Sequence, residues 1–233
     1  MAPKKKESWK FPAPPRGART RARLTYERLR DLYPAVTELA HQDPFQLVIA
    51  TILSAQTTDR SVNQVTPELF RRYPTAADLA AADPALVEQL IKPTGFFRLK
   101  TQRIIGAGRK LVEEFGGEVP GNLDDLVTVP GIGRKTANVI LGVGFQVPGF
   151  AVDTHVKRLT NLLKLVATRD AVKIEMQVCA MVPKEEWTGL SLRLILHGRR
   201  VCIARRPRCE ECVLNDFCPS STTRPNRRRK TTR

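Results

Sequence analysis

Four cysteines near the end of the chain have the spacing of ligands to a single metal centre. They follow the pattern Cys202-x6-Cys209-x2-Cys212-x5-Cys218, which places four thiols within seventeen residues. The intervals are too irregular for a tandem zinc finger, which needs two similar knuckles. Four closely nested thiolates suit a cubane iron–sulfur cluster, and a four-thiolate zinc site is the alternative.

The loop between the first two cysteines is strongly basic. It contains Arg205, Arg206 and Arg208. A metal centre that fixes this loop would present three guanidinium groups on one tight turn, and guanidinium forks match the geometry of phosphate oxygens. The pattern indicates a phosphate contact rather than an electron-transfer surface.

A second motif with chemical potential is Gly131-Ile-Gly133-Arg134-Lys135, followed by an apolar helical run. Two glycines one residue apart predict a tight turn with uncovered backbone N–H groups, and the following helix adds its positive end. Such a turn binds a phosphate oxygen without reading base sequence. It is not a Walker A loop, because Arg134 separates Gly133 from Lys135 and the glycines are too close together. An ordinary glycine turn is the alternative.

Lys135 lies in the first turn of that helix and could act as a nucleophile. An ordinary lysine has a pKa of about 10.4, so activity near pH 7 requires that pKa to be lowered at a cost of about 3–4 kcal/mol. Partial burial, the helix N-terminus and neighbouring Arg134 would all lower it. The alternative is a surface lysine that contacts phosphate.

An acid and a histidine interrupt an apolar stretch in Ala151-Val-Asp153-Thr-His155. Asp153 precedes a periodic helix, so it fits the position of an N-cap. Capping and catalysis are compatible, because a capping carboxylate is held rigidly. His155 could be a base, although a structural histidine at a helix start is the favoured interpretation.

The net charge of the chain is concentrated at its ends. Of a formal charge of +16, residues 1–23 contribute +7 and residues 219–233 contribute +6, which leaves about +3 for residues 24–218. We interpret the two ends as disordered basic arms, and their shared sign favours nucleic acid as the partner. No apolar run has membrane-spanning length, and the basic start lacks the apolar stretch of a secretory signal. Metal-spaced cysteines indicate a reducing compartment.

The body of the chain is predicted to be all-α. Apolar residues recur at steps of three and four, and sustained strand alternation is missing. Asp43-Pro44 and Asp83-Pro84 have the form of an N-cap followed by proline at the first helical position. Thr75 with Asp78 resembles a capping box, and paired glycines at 116 and 117 end the helix before them.

Together these features resemble the endonuclease III family of DNA glycosylases. The resemblance runs from about residue 24 to residue 218. The segments that carry it, besides the four cysteines, are Leu53-Ser-Ala-Gln-Thr-Thr-Asp59, Gly116-Gly-Glu-Val-Pro120, Val129-Pro-Gly-Ile-Gly-Arg-Lys-Thr-Ala-Asn138, Ala151-Val-Asp-Thr-His155 and His197-Gly-Arg199. The joint occurrence of the glycine turn, lysine, aspartate and cysteine spacing is highly specific, although none of them alone would be.

The resemblance implies a two-domain helix-hairpin-helix fold. A six-helix domain at 37–147 would face a second domain formed by 24–36 and 148–218, which holds a [4Fe-4S] cluster on the four cysteines. Double-stranded damaged DNA would bind between them with its damaged nucleotide flipped out. The protein would act as a monomer, in the cytoplasm at the nucleoid if the cell is bacterial, with nuclear or mitochondrial location left open.

The resemblance also implies roles for individual residues. Lys135 would attack the deoxyribose C1′ and form a Schiff base, while Asp153 would activate Lys135 or stabilise oxocarbenium charge. Gln56 would fill the gap left by the flipped nucleotide. Phe96 would intercalate at a position where many relatives carry leucine, with Phe97 in the core. The expected activity is excision of oxidised or fragmented pyrimidines followed by β-elimination.

Three other functions fit the sequence less well. Adenine glycosylases of the superfamily generally lack the lysine and place a glutamate where the segment 49–52 contains no acid. A monofunctional mismatch glycosylase is disfavoured by Lys135. A non-catalytic DNA-binding module with a structural metal is disfavoured by the joint presence of Lys135 and Asp153.

Overall fold

The computed structural model describes residues 13–223 and is all-helical over that range, as predicted. No strand occurs in the described part of the chain. The α-helices are α1 (Ala18–Leu32), α2 (Pro44–Leu53), α3 (Asp59–Arg72), α4 (Ala76–Ala80), α5 (Pro84–Ile91), α6 (Phe97–Phe115), α7 (Leu123–Leu126), α8 (Arg134–Gly144), α9 (Thr154–Leu162), α10 (Ala171–Cys179) and α11 (Trp187–Arg200). Short 3-10 segments lie at Lys92–Thr94, Lys184–Glu186 and Cys209–Glu211.

Local sequence sets where several of these helices begin and end. The carboxylate of Asp43 accepts from the N–H of Gln46 over 2.8 Å, and Pro44 opens α2. Thr75 and Asp78 form the reciprocal capping box at the start of α4. Gly116 ends α6 with a left-handed φ of 63°. These predicted helix ends are confirmed. The sequence can predict them because each is specified by residues close together in the chain.

The chain divides into two compact units. Within the described residues, unit 1 comprises residues 13–34, Val152–Glu186 and residues 193–223, and unit 2 comprises Ala35–Ala151 and Trp187–Leu192. The main departure from the predicted boundaries is that the first part of α11 belongs to unit 2. There Ser191 donates to the carbonyl of Ala151 over 2.8 Å.

Unit 2 is built around α2, which is buried along almost its whole length. Helices α3, α6 and α8 pack against it. Residues 44–144 form seven α-helical segments where six were expected, and two of the seven, α4 and α7, have only five and four residues. Helix α4 crosses α6 so closely that a Cβ on Gly108 would lie 2.9 Å from the carbonyl oxygen of Ala76.

The predicted limits of the basic arms are wrong on the inner side of each. Residues 18–23 are the start of α1, where Ala18 and Ala22 are fully buried. Arg21 donates to the carbonyls of Leu163 and Lys164, each over 2.7 Å. A count of charged residues does not reveal that Ala18 and Ala22 recur at helical spacing on a buried face. The guanidinium of Arg21, predicted to belong to the arm, instead forms hydrogen bonds within unit 1.

At the other end, Ser220 donates to the carbonyl of Leu162 over 2.8 Å, so residues 219–223 are also part of unit 1. The rest of the predicted arms, residues 1–12 and 224–233, lies outside the described residues. None of the helices between residues 13 and 223 has the length and apolar character needed to cross a membrane.

Candidate active site and metal centre

The glycine turn before α8 leaves a helix N-terminus without a protein cap. Gly131 has a φ of +87°, and a Cβ there would lie 3.1 Å from a methyl group of Ile52, so only glycine fits. Gly133 is the N-cap of α8 and makes no side-chain capping bond. A Cβ on Gly133 would meet nothing within 4 Å. The turn therefore offers open backbone to an external anion.

Arg134 and Lys135 form the first turn of α8 and are both exposed. The partial burial predicted for Lys135 is wrong, because the residue is exposed. The helix N-terminus and the neighbouring Arg134 are present as predicted. Any desolvation of this amine must therefore come from a bound ligand.

Asp153 caps α9, as its position predicted. Its Oδ1 accepts from the backbone N–H of Val156 over 2.7 Å, and the residue is half-buried. His155 is packed against Gly198, where a Cβ would lie 2.9 Å from its Nδ1, and burial lowers the pKa of this histidine. These contacts agree with a structural role for His155. Asp153 belongs to unit 1, whereas Lys135 belongs to unit 2.

Gln56 and Phe96, both in unit 2, have left-handed backbone conformations. Their φ values are 56° and 47°, and only four non-glycine residues in the described chain have positive φ. Phe96 is 64% exposed, an unusual state for a large apolar side chain, and Gln56 is exposed as well. Strained backbone of this kind persists where the surrounding structure enforces it, and it clusters at functional sites.

The neighbouring Phe97 behaves differently from Phe96. It is half-buried and packs against the hydrophobic core of unit 2. The guanidinium of Arg98 lies 5.9 Å from the centre of its ring. Phe97 is thus anchored and Phe96 is presented to solvent, and the intercalating role of Phe96 stays a prediction.

Cys202, Cys209, Cys212 and Cys218 line one cavity of about 250 Å³ in unit 1. Much of the remaining lining is apolar and includes Leu159, Leu162 and Leu214. Among residues 13–223, no three His, Cys, Asp or Glu side chains converge closely enough to hold one metal ion. Four thiols lining one largely apolar cavity are a donor set that suits an iron–sulfur cluster.

The protonation of the thiols reflects this apolar setting. Burial raises the pKa of Cys202 to about 11, and burial also raises the pKa of Cys212. Binding of the metal must therefore displace the protons of Cys202 and Cys212, since only the thiolate is a ligand.

A buried histidine contacts one of these sulfurs. His197 Nε2 lies 3.2 Å from the sulfur of Cys212, and its Nδ1 lies 3.2 Å from the hydroxyl of Tyr33. Burial lowers the pKa of His197 to about 4, so the ring is neutral at pH 7. A thiolate can only accept, so Nε2–H donates to Cys212 and Nδ1 accepts from Tyr33 when the thiol is ionised.

Two arginines that the sequence analysis did not single out hold the cysteine loop. Arg158 donates to the carbonyl of Cys202 over 2.7 Å. Arg28, on α1, donates to the carbonyl of Val213 over 2.6 Å and to the carboxylate of Asp216 over 2.8 Å. No local signal marks Arg28, because its partner Val213 lies 185 residues away in the chain.

The predicted arginine loop is exposed, as its proposed role requires. Arg205, Arg206 and Arg208 are all exposed. Arg208 forms an ion pair with Glu211 over 3.5 Å, with more than half of each side chain exposed. Exposed pairs contribute about 0–1 kcal/mol, so this one is readily exchanged for a phosphate.

The helical fold, the glycine turn and the cysteine-lined cavity define a class of DNA repair proteins. Residues 49–184 match the family described as HhH-GPD superfamily base excision DNA repair protein. Residues 202–218, the segment between the outer cysteines, match the iron-sulfur binding domain of endonuclease III. The chain belongs to the endonuclease III family and binds a [4Fe-4S] cluster.

Relatives support this placement over most of the chain. Endonuclease III of Synechocystis sp. is 51% identical over 195 residues, which cover 83% of this chain and 89% of the relative. A solved structure described as a non-covalent endonuclease III–DNA complex is 38% identical, with a TM-score of 0.83, and the match covers 87% of this chain and 96% of that one. A second, described as a trapped endonuclease III–DNA covalent intermediate, is 39% identical with the same TM-score and coverage.

Loss of one thiol should remove the cluster. We expect purified protein to be yellow-brown with absorbance near ~400 nm, and Cys212→Ala to lose that absorbance and to melt at a lower temperature, because the cluster crosslinks residues 202–218. Absorbance spectra, iron content and thermal melts measure these effects. The matched control is Cys179→Ala, which lies outside the cavity and should keep its colour. Colour retained by Cys212→Ala would contradict the assignment.

Proposed function

We propose that this chain is a bifunctional DNA glycosylase and abasic-site lyase that acts on oxidised or fragmented pyrimidines in duplex DNA. The observation that carries the proposal is the uncapped N-terminus of α8, with Lys135 exposed in its first turn. A family member of 39% identity has been described as a trapped covalent intermediate with DNA. Covalent chemistry of that kind requires a nucleophile such as an exposed amine.

The glycine turn binds the DNA backbone first. Gly131 gives the turn its shape, and Gly133 and Arg134 present backbone N–H groups and a guanidinium to a phosphate. These contacts carry no base sequence information, which suits an enzyme that must find damage anywhere. Bound DNA also covers Lys135, and the resulting desolvation favours its neutral, nucleophilic form.

Lys135 then displaces the damaged base. Its neutral Nζ attacks C1′ of the sugar as the bond to the base breaks, and the bonding electrons leave with the base. Loss of a proton from nitrogen and opening of the sugar ring give a Schiff base. The iminium acidifies the neighbouring 2′ carbon, so loss of a 2′ proton expels the 3′ phosphate by β-elimination, and water releases the enzyme. Asp153 accepts the amine's proton or stabilises positive charge on the sugar.

The damaged nucleotide must leave the helix before this chemistry. Flipping costs a few kcal/mol of stacking and pairing, and the vacated space must be filled. We assign Phe96 to intercalation and Gln56 to filling the gap. Both side chains are exposed, and the backbone at each is already held in a left-handed conformation. Little conformational entropy is therefore lost when they enter the duplex.

The [4Fe-4S] cluster has a structural role in this proposal. Cys202, Cys209, Cys212 and Cys218 would hold it, and it would fix the loop that presents Arg205, Arg206 and Arg208 to phosphate. The cluster supplies a rigid crosslink of four thiolates. We expect the protein to act as a monomer on duplex DNA, at the nucleoid if the cell is bacterial.

A panel of duplexes, each with one defined lesion, tests this function. Duplexes with an oxidised pyrimidine or an abasic site should be cut, leaving a 3′ unsaturated aldehyde, whereas an undamaged duplex should stay intact. Gel analysis with and without alkali separates excision from strand cleavage. Release of a base from a strand that is cut only by alkali would instead indicate a monofunctional glycosylase.

A further inference from the structure

The turn that carries Phe96 is held in a strained conformation. Gly95 and Phe96 follow each other with φ values of 67° and 47°. Glycine adopts positive φ readily, but a bulky aromatic residue does so only where its neighbours enforce it. Phe96 is also 64% exposed, so its own ring is not the source of that enforcement.

A buried lysine bonds this turn at both of its ends. Lys100, one turn into α6, is only 2% exposed, and its Nζ donates to the carbonyl of Thr94 over 2.7 Å. Its backbone N–H donates to the carbonyl of Phe96 over 3.1 Å. Thr94 is itself buried and donates from its hydroxyl to the carbonyl of Ile91 over 2.8 Å. Gly95 and Phe96 therefore lie in a turn whose carbonyls at Thr94 and Phe96 are both hydrogen-bonded to Lys100.

The chemistry of Lys100 is unfavourable for a residue that only fills space. Burial of an ammonium group carries a desolvation cost, and here burial lowers the pKa of Lys100. Methionine has a similar length and would fill the same volume without that cost. The ammonium is therefore explained by the carbonyl it holds rather than by the volume it occupies.

We propose that Lys100 is a positioning residue for base extrusion, holding the turn 94–97 in the shape that lets Phe96 enter the duplex. This inference rests on the proposed function and adds to it a residue that does not touch the reacting atoms. Without the ammonium, the Thr94 carbonyl loses its buried donor and the turn can relax from its strained backbone. The backbone at Phe96 would then have to be ordered as the ring intercalates, which costs conformational entropy.

The test compares a reaction that needs extrusion with one that does not. In Lys100→Met we expect single-turnover base excision from a duplex to fall about tenfold to a hundredfold, since extrusion is opposed by stacking and pairing. A 2-aminopurine beside the lesion should report slower unstacking. Lyase activity on a single-stranded abasic site should stay within about twofold of wild type, because no base pair must open.

The matched control is Lys110→Met, which removes the same charge from the same helix at a partly exposed position where Lys110 pairs with Glu114. It should leave both reactions unchanged. In the background of Phe96→Ala, Lys100→Met should cause little further loss, because the two residues act through one step. Thermal melts of all variants establish that they fold.

Three results would overturn the inference: no loss on duplex DNA, an equal loss on single-stranded and duplex substrates, or additive losses with Phe96→Ala. Each of these leaves the proposed function intact, because wild type would still cut both substrates. Failure of the proposed function is a separate outcome, in which wild-type protein does not cut even the single-stranded abasic site.

Discussion

Lys135→Gln should abolish covalent capture of DNA by borohydride. Reduction of the Schiff base in wild-type protein should give a stable complex with abasic or damaged DNA, visible as a shifted band on a denaturing gel. Glutamine cannot form an iminium, so trapping and strand cleavage should fall at least about a thousandfold, as when a covalent nucleophile is removed from other enzymes. Because Lys135 is exposed, the melting temperature should not change.

The matched control for this variant is Lys173→Gln. Lys173 is also an exposed lysine in the first turn of a helix, α10, but that helix is capped by Asp170 and has no glycine turn before it. Trapping should be unaffected there. If Lys135→Gln still formed the covalent complex, another amine would have to be the nucleophile and the central residue of the proposal would be wrong.

Asp153→Asn should separate capping from catalysis. Asparagine caps a helix as well as aspartate, so the bond to the N–H of Val156 and the stability of α9 should be retained. Its amide can neither accept the lysine proton nor offset positive charge on the sugar. We therefore expect single-turnover base excision to fall about a hundredfold to a thousandfold.

Two further variants sharpen this expectation. Asp153→Ala loses the cap as well and should cost about 1 kcal/mol of stability, while its activity falls no further than that of Asp153→Asn. Asp170→Asn makes the same chemical change at the N-cap of α10, where the carboxylate accepts from the N–H of Lys173 over 2.8 Å. It should keep full activity. Full activity in Asp153→Asn would show that Asp153 caps α9 and takes no part in catalysis.

Features set within one turn of chain could be predicted from the sequence. The N-caps at Asp43 and Asp153, the capping box at Thr75 and the glycine end of α6 are all present as expected. The N-caps and the capping box each join a side chain to a backbone group three residues away, and the end of α6 depends on the backbone freedom of Gly116, so neighbouring residue types specify these features almost completely. The cysteine spacing predicts the metal centre in a similar way, because it limits how four thiols can share one centre.

Features that no short stretch of the sequence contains could not be predicted. The sequence predicts that Arg21 lies in the basic arm, yet its guanidinium binds the carbonyls of Leu163 and Lys164. The sequence predicts a partly buried Lys135, yet this residue is exposed. Exposure and long-range contacts depend on which distant segments pack together, and a charge count or a helical period does not carry that information.

For this protein, the sequence by itself determined the helical class, the helix caps, the spacing of four thiols and the family to which the chain belongs. Only the tertiary structure decided how the backbone at Phe96 is held, which lysine is buried beside that turn, and how Arg28 and Arg158 hold the cysteine loop. The reason is physical: caps and turns are satisfied by neighbours in the chain, whereas burial is satisfied by neighbours in space.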